Sequence, residues 1–447
     1  RHHTEEGIEI NTDTIFAESS PRGYGGISIV RISGTQALDL LKTISLGGSW
    51  PPHKQIFTRL FDLNGALLDQ AMAVYHPAPH SYTGEDMAEI YCHGNPVLVD
   101  RLLQVIASTH LARSAEKGEF TRRAFLNGKM DLAQAEAVGA LISAGSAAGI
   151  EMAGALLDGE LSGNIEAICV EITDILAAIE ASFINDDADV SSDFIVRALS
   201  SLIERIEGLV SGQDAAQSLY KGITTTIAGM PNAGKSSLFN AILGYPRAIV
   251  HAEGGTTRDI IRERVTIGGI DFIFHDTAGI RETSSGPERI GVEMTIKTLR
   301  ESDLVLYVVD AGKGMRADEH RWLGLGRKTL TIMNKVDLLD NTVSDNGIEN
   351  TVWISAKYTS GIDRLTEVMA KMFSSDNQQV FIPRHAYLLG KTLNCLQQAR
   401  ESTASGLTAD VVSIELVHAR DSLQEIIGRY PDNDLLTTVF SQFCVGK

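Results

Sequence analysis

The sequence predicts a multidomain α/β and α protein: a small N-terminal α+β domain, then an α-helical bundle into which a P-loop α/β domain is inserted. Three observations predict it. Residues 223–240, Ile-Thr-Thr-Thr-Ile-Ala-Gly-Met-Pro-Asn-Ala-Gly-Lys-Ser-Ser-Leu-Phe-Asn, read as a buried strand, a phosphate loop of the form G-x-x-x-x-G-K-S and a helix. From Lys221 to about Ser375, β-branched runs alternate with helical spacings, the pattern of a mostly parallel sheet covered by helices. The flanking stretches, Gly118 to Tyr220 and Pro383 onward, carry apolar residues at helical spacing instead.

The chain of 447 residues has room for roughly three domains of 100 to 200 residues. Its 43% hydrophobic and 21% charged residues are an ordinary globular composition, and no apolar run reaches the roughly 18 residues of a membrane span. Cys92, Cys169, Cys395 and Cys444 lie far apart without C-x-x-C spacing, which disfavours a zinc site or a disulfide scaffold and fits a cytoplasmic protein. A formal charge of −18 repels polyanions over most of the surface, so a nucleic acid has to meet a local or shared basic patch. Residues 1–10, opening Arg1-His2-His3, read as a disordered tag remnant.

In order, residues 11–126 form the α+β domain. Gly26–Ile32, Gln70–Tyr75 and Met87–Cys92 read as strands, and Gln36–Thr43 and Pro96–Ser108 as helices. Arg31, Glu89, His93 and Lys129 are its polar candidates; pattern alone reads Arg31 as an edge-strand charge and Glu89 as a solvent-facing strand position. Residues 127–219 are the first part of the helical domain, with alanine-rich Asp131–Val138 and a long helix over Ile165–Phe183. An aspartate-rich break follows, and Asp193–Val210 resumes the helix. Residues 220–376 are the inserted α/β domain, and 377–447 return to helix. Insertion is tolerated where a host domain's chain ends lie close together.

Within the inserted domain the glycines at 229 and 234 let backbone N–H groups turn inward toward a phosphate, aided by the positive end of the next helix. The loop continues through Asn232, Ala233, Lys235, Ser236 and Ser237; Lys235 suits the β- and γ-phosphates and Ser236 suits Mg²⁺. Downstream, Gly254-Gly255-Thr256-Thr257 offers a threonine hydroxyl for Mg²⁺, and Asp276-Thr277-Ala278-Gly279 follows a strand at the γ-phosphate end. Asn334-Lys335-Val336-Asp337 places a carboxylate where guanine N1 and N2 donate, a pairing adenine lacks, and Ser355-Ala356-Lys357 completes the base pocket. Together these read as GTP rather than ATP. Ile280 stands where a water-orienting glutamine often follows, so hydrolysis needs another group; Glu282, Glu288 and Glu293 are candidates. Asn232 is either a turn residue or a ligand for a monovalent cation that supplies the charge of an arginine finger, for which Arg258 and Arg281 are the alternatives.

Several stretches carry a resemblance over essentially the full length: Asp13-Thr14-Ile15, Val30-Arg31-Ile32-Ser33-Gly34, Ser81-Tyr82-Thr83-Gly84-Glu85-Asp86, Gly118 to Lys129, Asp131 to Ala137, Glu288-Arg289-Ile290-Gly291 and Phe443-Cys444-Val445-Gly446-Lys447. With the nucleotide motifs, they make the chain resemble the MnmE (TrmE) family of tRNA-modification GTPases, among the TrmE-Era-EngA-YihA-Septin-like P-loop GTPases. The resemblance implies a tetrahydrofolate-binding N-terminal domain, a helical domain and a Ras-like G domain. It implies a homodimer, and a heterotetramer with the FAD protein MnmG (GidA), FAD being only in that partner. The pair would add an aminomethyl or carboxymethylaminomethyl group to C5 of the wobble uridine of certain tRNAs, with 5,10-methylene- or 5-formyl-tetrahydrofolate as cofactor besides GTP/GDP.

Carried over by position, Arg31, Glu89, Lys129 and Lys447 would contact folate, reversing the reading from pattern alone. Asn232 would ligate potassium with Thr256 and carbonyls near His251 and Glu253, Ser236 and Thr257 would ligate Mg²⁺, and Glu288 would position the attacking water. His251 and Glu253 depart from the expected residue types, as does Ser284-Ser285-Gly286-Pro287 before Glu288. Cys444 is a candidate nucleophile or proton donor beside Lys447, its alternative being a small buried residue. The rival reading, a ribosome-associated regulatory GTPase without modification chemistry, predicts a basic RNA-binding module that the acidic sequence does not display.

Overall fold

The computed structural model describes residues 13–45, 48–184, 192–211, 213–246, 248–251, 262–275, 297–316, 319–320, 324, 326–339, 350–373 and 382–447. Contacts divide the chain into two compact units, one of residues 1–139, 155–185 and 417–447, the other of residues 140–154 and 186–416.

The first unit is built on strands β1 (Ile15–Glu18), β2 (Gly25–Ser33), β3 (Ile56–Phe61), β4 (Leu67–His76), β5 (Met87–Gly94) and β6 (Arg113–Ser114), with helices α1 (Ala37–Ile44), α2 (Pro96–Ser108) and α3 (Glu119–Leu126). They form one sheet in the order β3-β4-β5-β2-β1-β6, antiparallel except for β1 against β6. Alternation decides its two faces. Val30, Ile32, Ala73, Ala88 and Ile90 pack under Leu40, Leu41 and Ile44 of α1 and Val99, Leu102 and Ile106 of α2. Each of the Val, Leu and Ile side chains removed from water contributes on the order of 1.5 to 3 kcal/mol, and the polar residues between them are left on the opposite face. Helix α2 begins sharply because Asn95 accepts from the N–H groups of Val97 and Leu98 and Pro96 occupies the first turn.

Arg31 does not sit on an edge. It lies in β2, an interior strand flanked by β5 and β1, in register with Glu89 on one side and Ala17 on the other. This corrects the reading from pattern, in which neither charge had a partner.

Helices α4 (Leu132–Ser143), α5 (Ala147–Leu157), α6 (Glu160–Ile184), α7 (Ser192–Val210) and α8 (Gln213–Lys221) follow. The second unit then carries β7 (Ile223–Gly229), α9 (Lys235–Leu243), β8 (Ile249–His251), β9 (Arg262–Ile267), β10 (Ile270–His275), β11 (Leu304–Asp310), β12 (Lys328–Asn334), β13 (Thr351–Trp353) and α10 (Ile362–Phe373). Its sheet runs β13-β12-β11-β7-β10-β9-β8, parallel from β13 to β10 and antiparallel through β9 and β8. Ile227, Phe272, Phe274, Leu306, Val308, Leu330 and Ile332 fill its core. The chain closes with α11 (Pro383–Ala404), α12 (Ala409–Ile427) and α13 (Asn433–Phe440). In the first unit Leu436, Val439, Phe440 and Phe443 pack on Leu132 and Ala135, which anchors the last residues of the sequence.

Candidate functional site

Of the nucleotide motifs, the loop 229–237, Asn334–Asp337 and Ser355–Lys357 meet at one end of the parallel strands. Gly234 caps α9 with φ +100°, a conformation that favours glycine, and a Cβ there would lie 2.2 Å from Asn334 Nδ2. The loop 229–236 and the segment Asn334–Asp337 therefore touch through a glycine. Asn334 is buried and bonds through both ends of its amide: Nδ2 donates to the Ala233 carbonyl (2.9 Å), and Oδ1 accepts from the N–H groups of Lys335 (2.8 Å) and Ala356 (3.0 Å). Lys335, at φ +68°, reaches the Asn232 carbonyl (2.7 Å) and Asp310 Oδ2 (2.8 Å). The hydrogen bond from Lys335 holds the Asp310 carboxyl below its usual range. Asp310 was missed in the sequence, because only the register of β11 with β12 sets it opposite Asn334.

Asp337 is exposed, and Ser355 Oγ donates to its Oδ1 at 2.5 Å, orienting the carboxylate. Lys357 Nζ stands 5.0 Å from the Tyr358 ring centroid. On the loop, Lys235 Nζ donates to the carbonyls of Gly229 (2.9 Å) and Met230 (3.0 Å), which holds its ammonium over the loop. Asn232 takes φ +63°, and Ser236 and Ser237 are exposed in the first turn of α9. A hydroxyl oxygen beside a helix N-terminus is a hard donor suited to Mg²⁺. His251 ends β8 opposite Arg264. Glu253, Thr256, Thr257, Asp276, Thr277, Ala278, Gly279 and Glu288 lie outside the described residues.

A second cluster lies on the polar face of the first unit's sheet. Arg31 grips Glu89 through Nε (2.9 Å) and Nη2 (2.8 Å) to one oxygen, and Tyr91 Oη donates to the other (2.7 Å). The guanidinium carbon is 5.1 Å from the Tyr82 ring centroid and 5.7 Å from that of Phe120, so two aromatic rings flank the charge. Burial works against the Glu89 charge, but Arg31 and the Tyr91 hydroxyl outweigh it and hold the carboxyl below its ordinary range. Lys447 lies beside this cluster: its backbone oxygen accepts from the N–H of Phe120, whose ring flanks Arg31. Its ammonium is pulled down from the usual lysine value chiefly by burial and then by Arg31, against the opposing influence of Glu89 and Cys444.

Thus Arg31, Glu89 and Lys447, scattered over the sequence, come together, with Cys444 exposed nearby. Lys129 sits at the adjoining loop, donating to the Pro79 carbonyl at 3.1 Å and packing near Gly84. His93 instead pairs with Asp69 at 2.8 Å and is mostly exposed. A cationic and anionic row bounded by aromatic rings suits a flat heterocycle bearing hydrogen-bond donors and an anionic tail, which is the chemistry of a folate. Tyr82 and Phe120 were missed as candidates, although both lie inside the stretches that carried the resemblance.

Comparison with known proteins identifies the family. Residues 14–129 match the family described as GTP-binding protein TrmE N-terminus, and residues 132–444 the MnmE helical domain. The tRNA modification GTPase MnmE of Carboxydothermus hydrogenoformans is 39% identical, the alignment covering 97% of this chain and 99% of that protein. The MnmE of Aquifex aeolicus is 38% identical (97% and 100% covered), and that of Pectobacterium atrosepticum 37% (98% and 100%). Among solved structures, Aquifex aeolicus Era bound to GDP and AlF4⁻ aligns with 39% of this chain and 67% of its own at 23% identity and a TM-score of 0.26, a likeness that adds nothing to the assignment. Matched along nearly its whole length by these relatives and by both domain families, the chain belongs to the MnmE family of tRNA modification GTPases.

Proposed function

We propose that this protein hydrolyses GTP to drive modification of the wobble uridine of tRNA, working with an FAD-containing MnmG-type partner and a tetrahydrofolate one-carbon donor. The convergence of Arg31, Glu89 and Lys447 beside Cys444 carries the reading, because a GTP switch alone has no use for such a cluster in another part of the chain. Asp337, oriented by Ser355, selects guanine, and Lys235 with the loop N–H groups binds the phosphates. Ser236 and Thr257 hold Mg²⁺, and potassium sits by Asn232 with Thr256 and carbonyls near His251 and Glu253. These ions supply positive charge to the phosphates. Glu288 orients the attacking water in place of the missing glutamine. Arg31, Glu89 and Lys129 bind folate, which supplies the one-carbon unit, while Lys447 and Cys444 present an amine and a thiol to it. Homodimers, G-domain pairing and a cytoplasmic location complete the proposal.

The test incubates the protein with its FAD partner, tRNA, methylene-tetrahydrofolate, ammonium as the nitrogen source, GTP and potassium, and measures wobble uridines by mass spectrometry. An aminomethyl mass that requires all components is expected; unmodified uridine in the complete mixture would overturn the reading. Glu288→Ala is expected to slow GTP turnover by about 10² to 10⁴-fold with nucleotide affinity kept, the range of a general acid or base. Equal turnover in a steady-state phosphate-release assay would remove Glu288 from the role.

A further inference from the structure

The residues Cys444 to Lys447 do not reach the Arg31–Glu89 cluster as a free tail. Four contacts fix them. The Gly118 N–H donates to the Cys444 carbonyl (3.3 Å), the Phe120 N–H to the Lys447 carbonyl (3.2 Å), and Ser19 Oγ to the Gly446 carbonyl (2.9 Å). Val445 forms an antiparallel bridge with Lys117. Ser19 is itself fixed, its N–H donating to the Ile29 carbonyl at 2.8 Å, two residues before Arg31 on β2. The strand that carries Arg31 and the segment that carries Lys447 are therefore joined through one side chain, the Ser19 hydroxyl.

Gly446 makes the join possible. It is buried at φ +95°, and a Cβ there would fall 2.1 Å from the Glu18 carbonyl oxygen, a backbone atom that cannot swing aside. Only glycine lets the segment come close enough to β1 for Ser19 to hold it.

We propose that Ser19 and Gly446 are positioning residues for the one-carbon chemistry: together with the Gly118 and Phe120 N–H groups they form a clip that sets Cys444 and Lys447 against Arg31 and Glu89. The clip rests on the proposed function for its chemical meaning, but its geometry does not. A misplacement of about 1 Å in a reacting group costs on the order of 10²-fold in rate, so the clip acts on turnover more than on affinity.

The test uses the full chain and the variants Ser19→Ala, Ser19→Thr and Gly446→Ala. Ser19→Ala lowers kcat of wobble modification roughly tenfold, with KM for methylene-tetrahydrofolate and the rate of GTP hydrolysis within about twofold of the parent, as expected for a positioning group. Ser19→Thr, which keeps the hydroxyl, recovers most of the loss, and Gly446→Ala loses more than Ser19→Ala. Equal losses in the alanine and threonine variants, or a Ser19→Ala loss seen only in KM, would overturn the assignment. Hydrogen exchange of the segment 117–121, read by mass spectrometry without folate or tRNA, gives a second reading that survives failure of the proposed function. Protection there falls in Ser19→Ala and further in Gly446→Ala. Unchanged protection in both variants would show that the clip does not hold the tail.

Discussion

At the scale of single residues, identity of type and identity of neighbours contribute differently. Asp337 was legible because a carboxylate after Asn-Lys-x is meaningful wherever it lies, and the structure adds only Ser355 as its orienting donor. Arg31 was not legible, because its meaning comes from Glu89, 58 positions away in sequence, and from the rings of Tyr82 and Phe120. Pattern reports which face a strand residue takes and is silent about what stands beside it there. The Asp337 geometry makes a definite prediction. In Asp337→Asn the amide oxygen can still accept from Ser355, leaving an N–H₂ to face the base. Guanine would then meet a donor with a donor, while xanthine, which has a carbonyl at C2, would meet it with an acceptor. GTP affinity is expected to fall by about 10⁴-fold and xanthosine triphosphate to become the preferred ligand, measured by titration calorimetry.

At the scale of elements, strands were legible to within a few residues: the β-branched run Gly25–Ser33 coincides closely with its sequence reading Gly26–Ile32, Met87–Gly94 with Met87–Cys92, and α2 was found at its start because Asn95 and Pro96 mark it. The strands that pattern did not find are short or mixed. β1 has four residues, β6 two, and β3 alternates Phe57 and Arg59 outward, so its apolar signal is thin. Their stability comes from ladder partners rather than from local preference. The loop from Gly229 to α9 is constrained in the opposite way, by a single close approach. Gly234→Ala would both strain the backbone at φ +100° and drive Asn334 from its place. Loss of GTP binding with little change in the helical content measured by circular dichroism is the expected outcome, because the strand and helix on either side keep their own packing.

At the scale of the whole molecule, the helical segments on both sides of the α/β sheet were legible as a pattern interrupted and resumed, whereas the grouping of residues 417–447 with the N-terminal sheet was not. Within that grouping Phe440 and Phe443 pack against Leu132 and Ala135, and Ser19, Gly118 and Phe120 hold the carbonyls of the last residues, contacts that no local periodicity announces. It also places much of the first unit's ionic structure around a few carboxylates. Glu89 and Glu119 are both held below the ordinary value of 4.5: burial opposes their charge, and Arg31 with Tyr91, or Arg113 with the Glu116 N–H and Arg123, overcomes it. A carboxyl with a depressed folded value contributes stability that is present above its unfolded value and lost as pH falls through the folded one. Thermal stability is therefore expected to hold down to about pH 5 and to decline in more acid solution, as scanning calorimetry would read, with Glu89→Gln flattening part of the decline.

The bonds from Asn334 to Ala233 and from Lys335 to Asn232 have a consequence for ligands smaller than GTP. They make the base end and the phosphate end of the pocket one piece of framework. Guanosine alone, by ordering Asn334 and Lys335, lowers the conformational cost of closing the loop on pyrophosphate, and pyrophosphate does the same for guanosine by thermodynamic reciprocity. Two fragments with no bond between them should thus promote one another's binding, and Asn334→Ala should abolish that mutual help before it abolishes the binding of either.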